Sequence, residues 1–114
     1  MIGDVVQLAN GSVGVVGEIL PHGFSRVYFD RSYKDVLDAE ISSTLSAPTY
    51  SVGDTVSIWP HSGDITSIDG DTFTVSIDRQ TIFPDGFNVT WSGDFQAPRW
   101  RIIRDNDTRI SRVW

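Results

Sequence analysis

Hydrophobic and polar residues alternate along several short stretches of the chain. The clearest stretch is TFTVSI at residues 72–77, where Phe, Val and Ile alternate with Thr and Ser. Shorter stretches with the same period of two lie at residues 5–8 and 55–58. A period of two indicates half-buried β-strands, and the β-branched residues that dominate these stretches favour pleated surfaces. The pattern therefore predicts an all-β protein built from short strands.

Clusters of turn-forming residues separate these stretches. They lie at residues 10–11, 21–23, 69–70 and 84–86, and each contains glycine with Asn, Asp or Pro. Glycine supplies a positive φ, proline presets φ, and Asn or Asp hydrogen-bonds its own backbone. Such clusters between short strands predict hairpins. Residues 34–40 fit either one helical turn or a strand followed by a 3₁₀ turn.

The chain repeats itself at a spacing near 50 residues. The segment IGDVVQL at residues 2–8 matches VGDTVSI at residues 52–58. Further matches follow in the same order, and their offset shrinks from 50 to 48 as loops shorten between fixed strands. These matches are Gly14 with Gly63, Val16 with Ile65, Ile19 with Ile68, Val27 with Val75, Phe29 with Ile77, and Asp30–Arg31 with Asp78–Arg79. A repeat of this length indicates a duplicated structural unit.

Each unit begins with Gly-Asp, which we interpret as the turn before the first strand. Gly14 and Gly63 then mark places where the backbone approaches a neighbour too closely for a side chain. The segments GDVVQLANGSVGVVGEILPHGFSRVYFD and GDTVSIWPHSGDITSIDGDTFTVSID carry the pattern Gly-Asp-x-Val, Gly-x-Val, Val-x-Phe-Asp. This pattern resembles the SH3-like barrels of the KOW and Tudor type. In the second segment Asp64 alters the central Gly-x-Val, which separates it from the KOW pattern.

The resemblance implies two tandem small SH3-like barrels. We assign the first barrel to residues 1–48, the second to residues 49–104, and a C-terminal arm to residues 105–114. The segment RWRII at residues 99–103 alternates in its first four positions and is predicted to close the second barrel as a last strand. Trp100 would then face the opposite way from its arginine neighbours.

The arm has no place in a barrel that is already closed. It ends in Trp114, which gains much on burial, and it carries arginines of the kind found at binding hot spots. We therefore expect the arm to dock, either on the acidic body of its own chain or on another chain.

Charge is distributed unevenly. The chain carries −6 overall, yet residues 1–98 carry −9 and residues 99–114, with five arginines, carry +3. An acidic body repels nucleic acid, so a phosphate backbone could bind only at the arginine-rich end. We expect a protein partner or further copies of the chain.

Composition narrows the location and the chemistry. There is no cysteine, which excludes disulfides, thiolate metal sites and a cysteine nucleophile. The first residues lack the features of a signal peptide, and no apolar run approaches the roughly 20 residues that span a bilayer. We expect an intracellular or virion protein that makes no membrane contact.

No motif indicates an enzyme, a cofactor or a metal. His22 and His61 each lie beside a turn glycine and are interpreted as loop residues. The aspartates at 64, 69, 71 and 78 resemble part of a calcium loop, but no glutamate follows Glu40 to close it. Turn chemistry explains these aspartates.

The aromatic residues are more informative. In Tudor-like barrels, aromatic residues at strand ends can form a cage for a methylated cation, and here Tyr28 and Trp59 are the first candidates. Alternatively, Phe29 faces the core while Tyr28 and Trp59 cap it or fill a seam between the barrels. The candidate partner-binding residues are Tyr28, Trp59, Arg99, Trp100, Arg101, Arg104, Arg109, Arg112 and Trp114.

Three functions fit these features. The first is a non-enzymatic protein-binding module made of a duplicated SH3-like barrel. The second is a structural or assembly subunit of a virus or phage particle, linked to its neighbours by its arm. The third is a KOW-type nucleic-acid-associated factor that would use the arginines at its C-terminal end.

Overall fold

The described part of the chain is all-β, with nine strands and one short α-helix. The computed structural model describes residues 1–59, 61–82, 84–86 and 88–112, with side chains at all of these except 78–82 and 88–91. The elements in chain order are β1 (Val5–Leu8), β2 (Val13–Ile19), β3 (Phe24–Tyr28), β4 (Tyr33–Leu37), β5 (Ile41–Leu45), β6 (Thr55–Ile58), β7 (His61–Asp69), β8 (Thr72–Ile82), β9 (Asn88–Pro98) and α1 (Arg99–Asn106).

The strands form two antiparallel sheets. The first sheet has the order β4-β3-β2-β1-β5 and the second has the order β6-β7-β8-β9. The expected hairpin turns at residues 10–11, 21–23, 69–70 and 84–86 all lie between consecutive strands. Residues 33–40 form β4 and a 3₁₀ turn, Asp38–Glu40, rather than a helical turn. Neither sheet closes on itself, so the prediction of closed barrels is wrong.

The two sheets repeat the same strand register. Equivalent pairs are Val6–Gly14 with Val56–Gly63, and Val16–Val27 with Ile65–Val75. Both sheets carry an irregularity just after the second pair, between Val16 and Glu18 and between Ile65 and Ser67. The sequence repeat is therefore also a repeat of backbone pairing.

Gly14 and Gly63 occupy equivalent points of close approach, as predicted. A Cβ on Gly14 would overlap the Val27 side chain and lie 2.9 Å from the Tyr28 carbonyl oxygen. A Cβ on Gly63 would overlap the carbonyl oxygen of Ser76. Any larger residue would push apart the second and third strands of its sheet.

Residues 99–106 form helix α1, so the strand predicted for RWRII is wrong. Four alternating residues are too few to separate a strand from a helix. On a helix, the neighbours Ile102 and Ile103 point about 100° apart. Ile102 is fully buried in the core of the second sheet, and Ile103 is fully buried against the outer face of the first.

Each sheet has its own apolar core. In the first sheet this core consists of Val6, Leu8, Val16, Val27, Phe29 and Val36. In the second sheet it consists of Val56, Ile58, Ile65, Phe73, Val75, Ile77, Ala97 and Ile102. Phe29 faces the core, as one of the two alternatives for the aromatic residues predicted.

The outer faces of the two sheets differ. In the first sheet the paired residues Val5 and Val15 are fully buried beneath α1. The equivalent pair in the second sheet is Thr55 and Asp64, which are exposed and joined by a hydrogen bond of 2.7 Å from Thr55 Oγ1 to Asp64 Oδ1. Asp64, which departs from the repeat, therefore lies on the solvent-exposed outer face of the second sheet.

Candidate binding cleft between the two sheets

Helix α1 lies along the free edge of β6. The side-chain amide of Asn106 accepts a hydrogen bond from Ser57 N–H at 2.8 Å and donates one to the Ser57 carbonyl oxygen at 3.0 Å. Gln7, the equivalent of Ser57, pairs instead with Ser43 of β5. One side-chain amide thus binds the edge of β6 where a fifth strand pairs in the first sheet.

Asp105 joins the helix to the end of β6. Its side chain is only 5 % exposed. Its carboxylate accepts hydrogen bonds from Trp59 N–H at 3.2 Å and from Arg104 Nε at 3.0 Å. Arg101 Nη2 donates to the Trp59 carbonyl oxygen at 3.4 Å. The backbone of Trp59 is held on both sides, while its indole is 78 % exposed.

Two aromatic residues singled out in the sequence form a stack. The rings of Tyr28 and Trp100 lie 4.1 Å apart between centroids, at an angle of 20°. The Arg104 guanidinium lies 5.5 Å from the Trp100 ring, and the Arg26 guanidinium lies 4.8 Å from the Tyr33 ring. The chain's own cations therefore already contact aromatic faces here.

Arg26 is fixed by carboxylates of the neighbouring strands. It makes a fork with Asp35, at 2.8 Å from Nε and 3.2 Å from Nη2, and Nη1 lies 3.4 Å from Glu18. The hydrogen bond from Arg26 lowers the pKa of Asp35, and the same bond raises the pKa of Arg26. This network holds β3 and β4 beside the aromatic stack.

The segment after the helix packs on the first sheet of its own chain. Ser111 N–H donates to the Val13 carbonyl oxygen at 2.8 Å, and Ser111 Oγ accepts from Val13 N–H at 2.9 Å. The carbonyl oxygens of Ser111 and Arg112 accept from the N–H groups of Asp30 and Arg31, at 2.9 and 2.8 Å. Residues 107–112 thus run from β2 to the turn between β3 and β4.

Asp107 and Arg109 anchor this segment at its start. Arg109 donates to both oxygens of Asp107, and Arg109 Nη2 also donates to the Ser46 carbonyl oxygen at 2.7 Å. The side chain of Asp107 is 5 % exposed. The hydrogen bond from Arg109 lowers the pKa of Asp107, and that bond also raises the pKa of Arg109.

An open cleft of about 570 Å³ lies beside the helix. It lies between the β3–β4 turn, the end of β6 and helix α1. Its described lining is Asp30, Arg31, Trp59, Arg104 and Asp105. A shallower extension of about 240 Å³ continues over the β3–β4 turn, from Tyr28 to Tyr33, and shares Arg104.

The structure brings together many of the candidate residues proposed from the sequence. Trp59 and Arg104 line the cleft, and Tyr28 lines its extension. Trp100 stacks on Tyr28 and Arg101 donates to the Trp59 carbonyl oxygen, both from a helix and not from the predicted strand. The physical reason for the difference is that α1 must turn apolar residues toward both sheets.

Three other candidates lie elsewhere or act through the backbone. Arg99 lies at the seam, where its Nη2 is 3.5 Å from the Pro48 carbonyl oxygen and its N–H donates to the Asp71 carbonyl oxygen. Arg109 binds Ser46, and Arg112 contacts Arg31 through its carbonyl oxygen. Trp114 lies outside the described residues.

Three lining residues were not singled out as candidates from the sequence. Asp30 and Arg31 appeared there only as members of the repeat, and Asp105 only as the first residue of the C-terminal arm. The available signal was the adjacent pair of opposite charges, Asp30 and Arg31, because exposed connecting segments often carry binding residues. No sequence pattern indicated Asp105, since its hydrogen bonds to Trp59 and Arg104 depend on the presence of helix α1.

His22, His61, Asp69 and Asp71 lie at turns or strand ends. His22 is exposed in a turn, and the His61 ring lies 6.1 Å from the Phe95 ring between centroids. Asp69 and Asp71 flank the turn between β7 and β8. Within the described parts of the chain, no three His, Cys, Asp or Glu side chains come together as a metal site would require. Nor does any described helix have the length and apolar character to cross a membrane.

Comparison with known proteins gives no relative. The chain matches no protein-family model, no curated protein and no solved structure.

Proposed function

We propose that this protein is a non-enzymatic protein-binding module built from two SH3-like units. The order β4-β3-β2-β1-β5, with a 3₁₀ turn before β5, supports an SH3-like unit in the first half. The repeated register supports the same origin for the second half, in which α1 takes the position of the fifth strand.

This proposal rests on Trp59, whose backbone is fixed by hydrogen bonds while its side chain is exposed. Its backbone is held by Asp105 and Arg101, but its indole is 78 % exposed at the mouth of the cleft. Tryptophan is among the residues most enriched at binding hot spots, and a large apolar side chain in water gains free energy when a partner covers it. A fixed backbone with an exposed indole is a pre-organised contact.

The neighbouring arginines suit the same function. Arg104 contacts Trp100 and Asp105, so its guanidinium is oriented before any partner arrives. Arg109 is bonded to Asp107 and Ser46, and Arg99 lies against Pro48. These internal contacts leave a cleft rather than a basic stripe, which is why we rank the nucleic-acid function third.

A photo-cross-linking amino acid at position 59 tests the proposal. The full chain would carry it in the cells from which the gene comes, with a matched probe at Ser67 on the exposed part of β7. We expect adducts to a foreign protein from position 59 and not from position 67. Absence of protein adducts at position 59, or equal adducts from both positions, would contradict a binding role for the cleft.

A second function, an assembly subunit, is favoured by the β8–β9 hairpin. The last β7–β8 register pair is Asp64–Ser76, but β8 and β9 continue for six further pairs, from Ile77–Gly93 to Ile82–Asn88. No third strand pairs with this extension in the described chain, and an isolated hairpin is marginally stable in water. A neighbouring subunit would stabilise it.

The two functions differ in stoichiometry. Light scattering after gel filtration, at several protein concentrations and after nuclease treatment, measures the absolute mass. A monomer at every concentration supports the binding module. An oligomer that dissociates on dilution, together with cross-links from position 59 to the same chain, would support the assembly subunit instead.

A further inference from the structure

Strand β9 has the longest edge with which no other described strand pairs. It runs from Asn88 to Pro98 and lies last in the second sheet. The outer edges of the first sheet belong to β4 and β5, which have five residues each. At the opposite side of the second sheet, Asn106 binds the edge of β6. A long unpaired edge is a template for a further strand, whereas short or covered edges are poor ones.

The two sheets carry different residues at equivalent edge positions. In the first sheet, Lys34 of β4 is paired with the buried Val27, and Lys34 Nζ lies 3.7 Å from Glu40 Oε1. In the second sheet, Phe95 of β9 takes this position, opposite the buried Val75. An inward-pointing charge protects an edge from further pairing, whereas a phenylalanine that is 37 % exposed gains free energy when a neighbour covers it. At this position β9 lacks the protection that β4 has.

Hydrogen bonding to β8 fixes which backbone groups of β9 point to the outer edge. The pairing of β9 with β8 runs without a shift along the whole of β9. Just beyond it, Arg99 N–H donates to the Asp71 carbonyl oxygen at 2.7 Å. Because these directions alternate along an antiparallel strand, the odd-numbered residues of β9 turn their N–H and C=O groups to β8. The even-numbered residues therefore present a regular row of donors and acceptors outward.

The sequence of β9 is symmetric in residue type about its midpoint. The strand reads NVTWSGDFQAP, and Gly93 is its central residue. The residues two positions to either side of Gly93 are aromatic, those four positions away are aliphatic, and those between are polar. An antiparallel pair of β9 strands centred on Gly93 overlaps at all eleven positions and sets residues of the same type opposite each other. Glycine inside a strand often marks the close approach of another backbone.

We propose that the protein forms a two-fold symmetric dimer in which β9 pairs antiparallel with β9 of a second copy. Gly93 lies on the axis, Ser92 stands opposite Asp94 of the second copy, and Trp91 stands opposite its Phe95. The even-numbered residues of both strands make the hydrogen bonds, and aromatic cross-strand pairs add to the stability. The pairing joins two four-stranded sheets into one and supports the β8–β9 hairpin where it extends beyond β7.

A matched pair of variants at position 96 tests the backbone contact. Gln96→Pro removes an outward N–H and leaves the N–H groups that bind β8, whereas Gln96→Ala keeps the outward N–H. Light scattering after gel filtration, at a series of protein concentrations, measures the dissociation constant of the dimer. We expect Gln96→Pro to raise this constant about tenfold and Gln96→Ala to leave it unchanged. A wild type that is monomeric at every concentration, or equal constants for the two variants, would overturn the inference.

Phe95→Lys tests the apolar contact. It gives β9 the residue that β4 carries at the equivalent position, where the first sheet accommodates it. We expect the dissociation constant to rise about tenfold while the amide spectrum of the monomer stays that of a folded chain. A dimer as tight as the wild type in both Phe95→Lys and Gln96→Pro would place the contact on another surface.

Single cysteines test the register, because the chain has none of its own. Directly opposite residues of a hydrogen-bonded antiparallel pair have Cα atoms about 5.5 Å apart, which a disulfide can span. In an oxidised mixture of Ser92→Cys and Asp94→Cys chains, we expect the mixed disulfide to form about tenfold faster than the disulfide between two Ser92→Cys chains. Ser67→Cys, at an exposed position of β7, measures random collision. A mixed disulfide that forms no faster than the Ser67→Cys disulfide would contradict the proposed pairing.

The dimer and the binding module fail separately. Strand β9 and the described lining of the cleft share no residue, so a dimer carries two clefts. A monomer that cross-links to a foreign protein from position 59 overturns the dimer and leaves the binding module standing. A dimer that gives no protein adducts from position 59 keeps the β9 contact and contradicts the binding role of the cleft.

Discussion

Ile102 and Ile103 are neighbours on one helix, yet each is fully buried in a different apolar cluster. Ile102 packs with Val56, Ile58 and the rest of the second core, and Ile103 packs with Val5 and Val15 of the first sheet. One turn of helix α1 therefore holds the two halves of the protein together.

Truncation of either isoleucine should destabilise mainly the half of the protein whose apolar cluster contains it. Ile102→Ala and Ile103→Ala should each cost about 2–5 kcal/mol, because each leaves a cavity in a packed cluster. Amide hydrogen exchange should rise mainly in β6–β9 for Ile102→Ala and mainly in β1 and β2 for Ile103→Ala. Ile19→Ala, at a site 55 % exposed, is the matched control and should cost little. The same exchange pattern in both core variants would contradict this division.

Loss of the Asn106 amide should expose the edge of β6. Asn106→Ala removes both hydrogen bonds to Ser57, and the loss should lower the free energy of unfolding by about 1–3 kcal/mol. Exchange of the Ser57 amide hydrogen reports the loss directly. Asn106→Asp keeps an acceptor for Ser57 N–H but loses the donor, so protection of that amide should be partly retained. Unchanged protection of the Ser57 amide in Asn106→Ala would show that the Asn106 side chain does not protect the edge of β6.

Alanine at the close-approach glycines should act equally in both halves. Gly14→Ala and Gly63→Ala should each destabilise the protein by about 1–3 kcal/mol, since the neighbours are side chains of β3 and backbone of β8. Ser67→Ala, at an exposed position of β7, is the control. We expect its cost, measured by urea unfolding, to be smaller. A neutral Gly63→Ala would mean that the sheet yields easily at this point.

Acid should release the anchor between Asp107 and Arg109. The pKa of Asp107 is lowered from its ordinary value of 3.8 by the hydrogen bond from Arg109. A lowered pKa in the folded state means that this stabilisation is fully present above about pH 4 and is lost as the pH falls through the folded-state pKa. The stability gap between wild type and Asp107→Asn should therefore be constant near neutral pH and shrink below pH 4.

Urea unfolding at a series of pH values measures this gap. Asp38→Asn removes an exposed carboxylate from the 3₁₀ turn before β5 and serves as the charge-matched control. Its stability curve should run parallel to that of the wild type through neutral pH. A gap for Asp107→Asn that stays constant down to pH 2 would rule out the ionised anchor.

The sequence predicts the strands better than the helix, for physical reasons. Period-two alternation and glycine-containing turns are local signals, so the hairpins and both close-approach glycines could be predicted. The strand predicted for RWRII was wrong, because four alternating residues imitate a strand while Ile102 and Ile103 serve two different sheets from a helix. The continuous pairs Val5–Val6 and Val15–Val16 held a clue, since burial on both faces produces unbroken apolar runs.

The cleft was predictable only in its parts. Tyr28 and Trp100 were both candidates, but their stacking joins residues 72 positions apart through a helix that the sequence did not indicate. Arg31 lines the cleft only because the β3–β4 turn lies beside that helix. Long-range placement of this kind depends on the packing of the whole chain and leaves no local pattern.

The burial of Val5 and Val15 under Ile103 also has a consequence for synthesis of the chain. The first sheet is complete once Leu45 has been made, but the side chain that covers its outer face comes 58 residues later. At about 5–20 residues per second, a ribosome needs several seconds to cover that distance. During this interval the nascent first half presents Val5 and Val15 without the helix that completes their cover. Chaperone demand during synthesis should therefore come mainly from the first half.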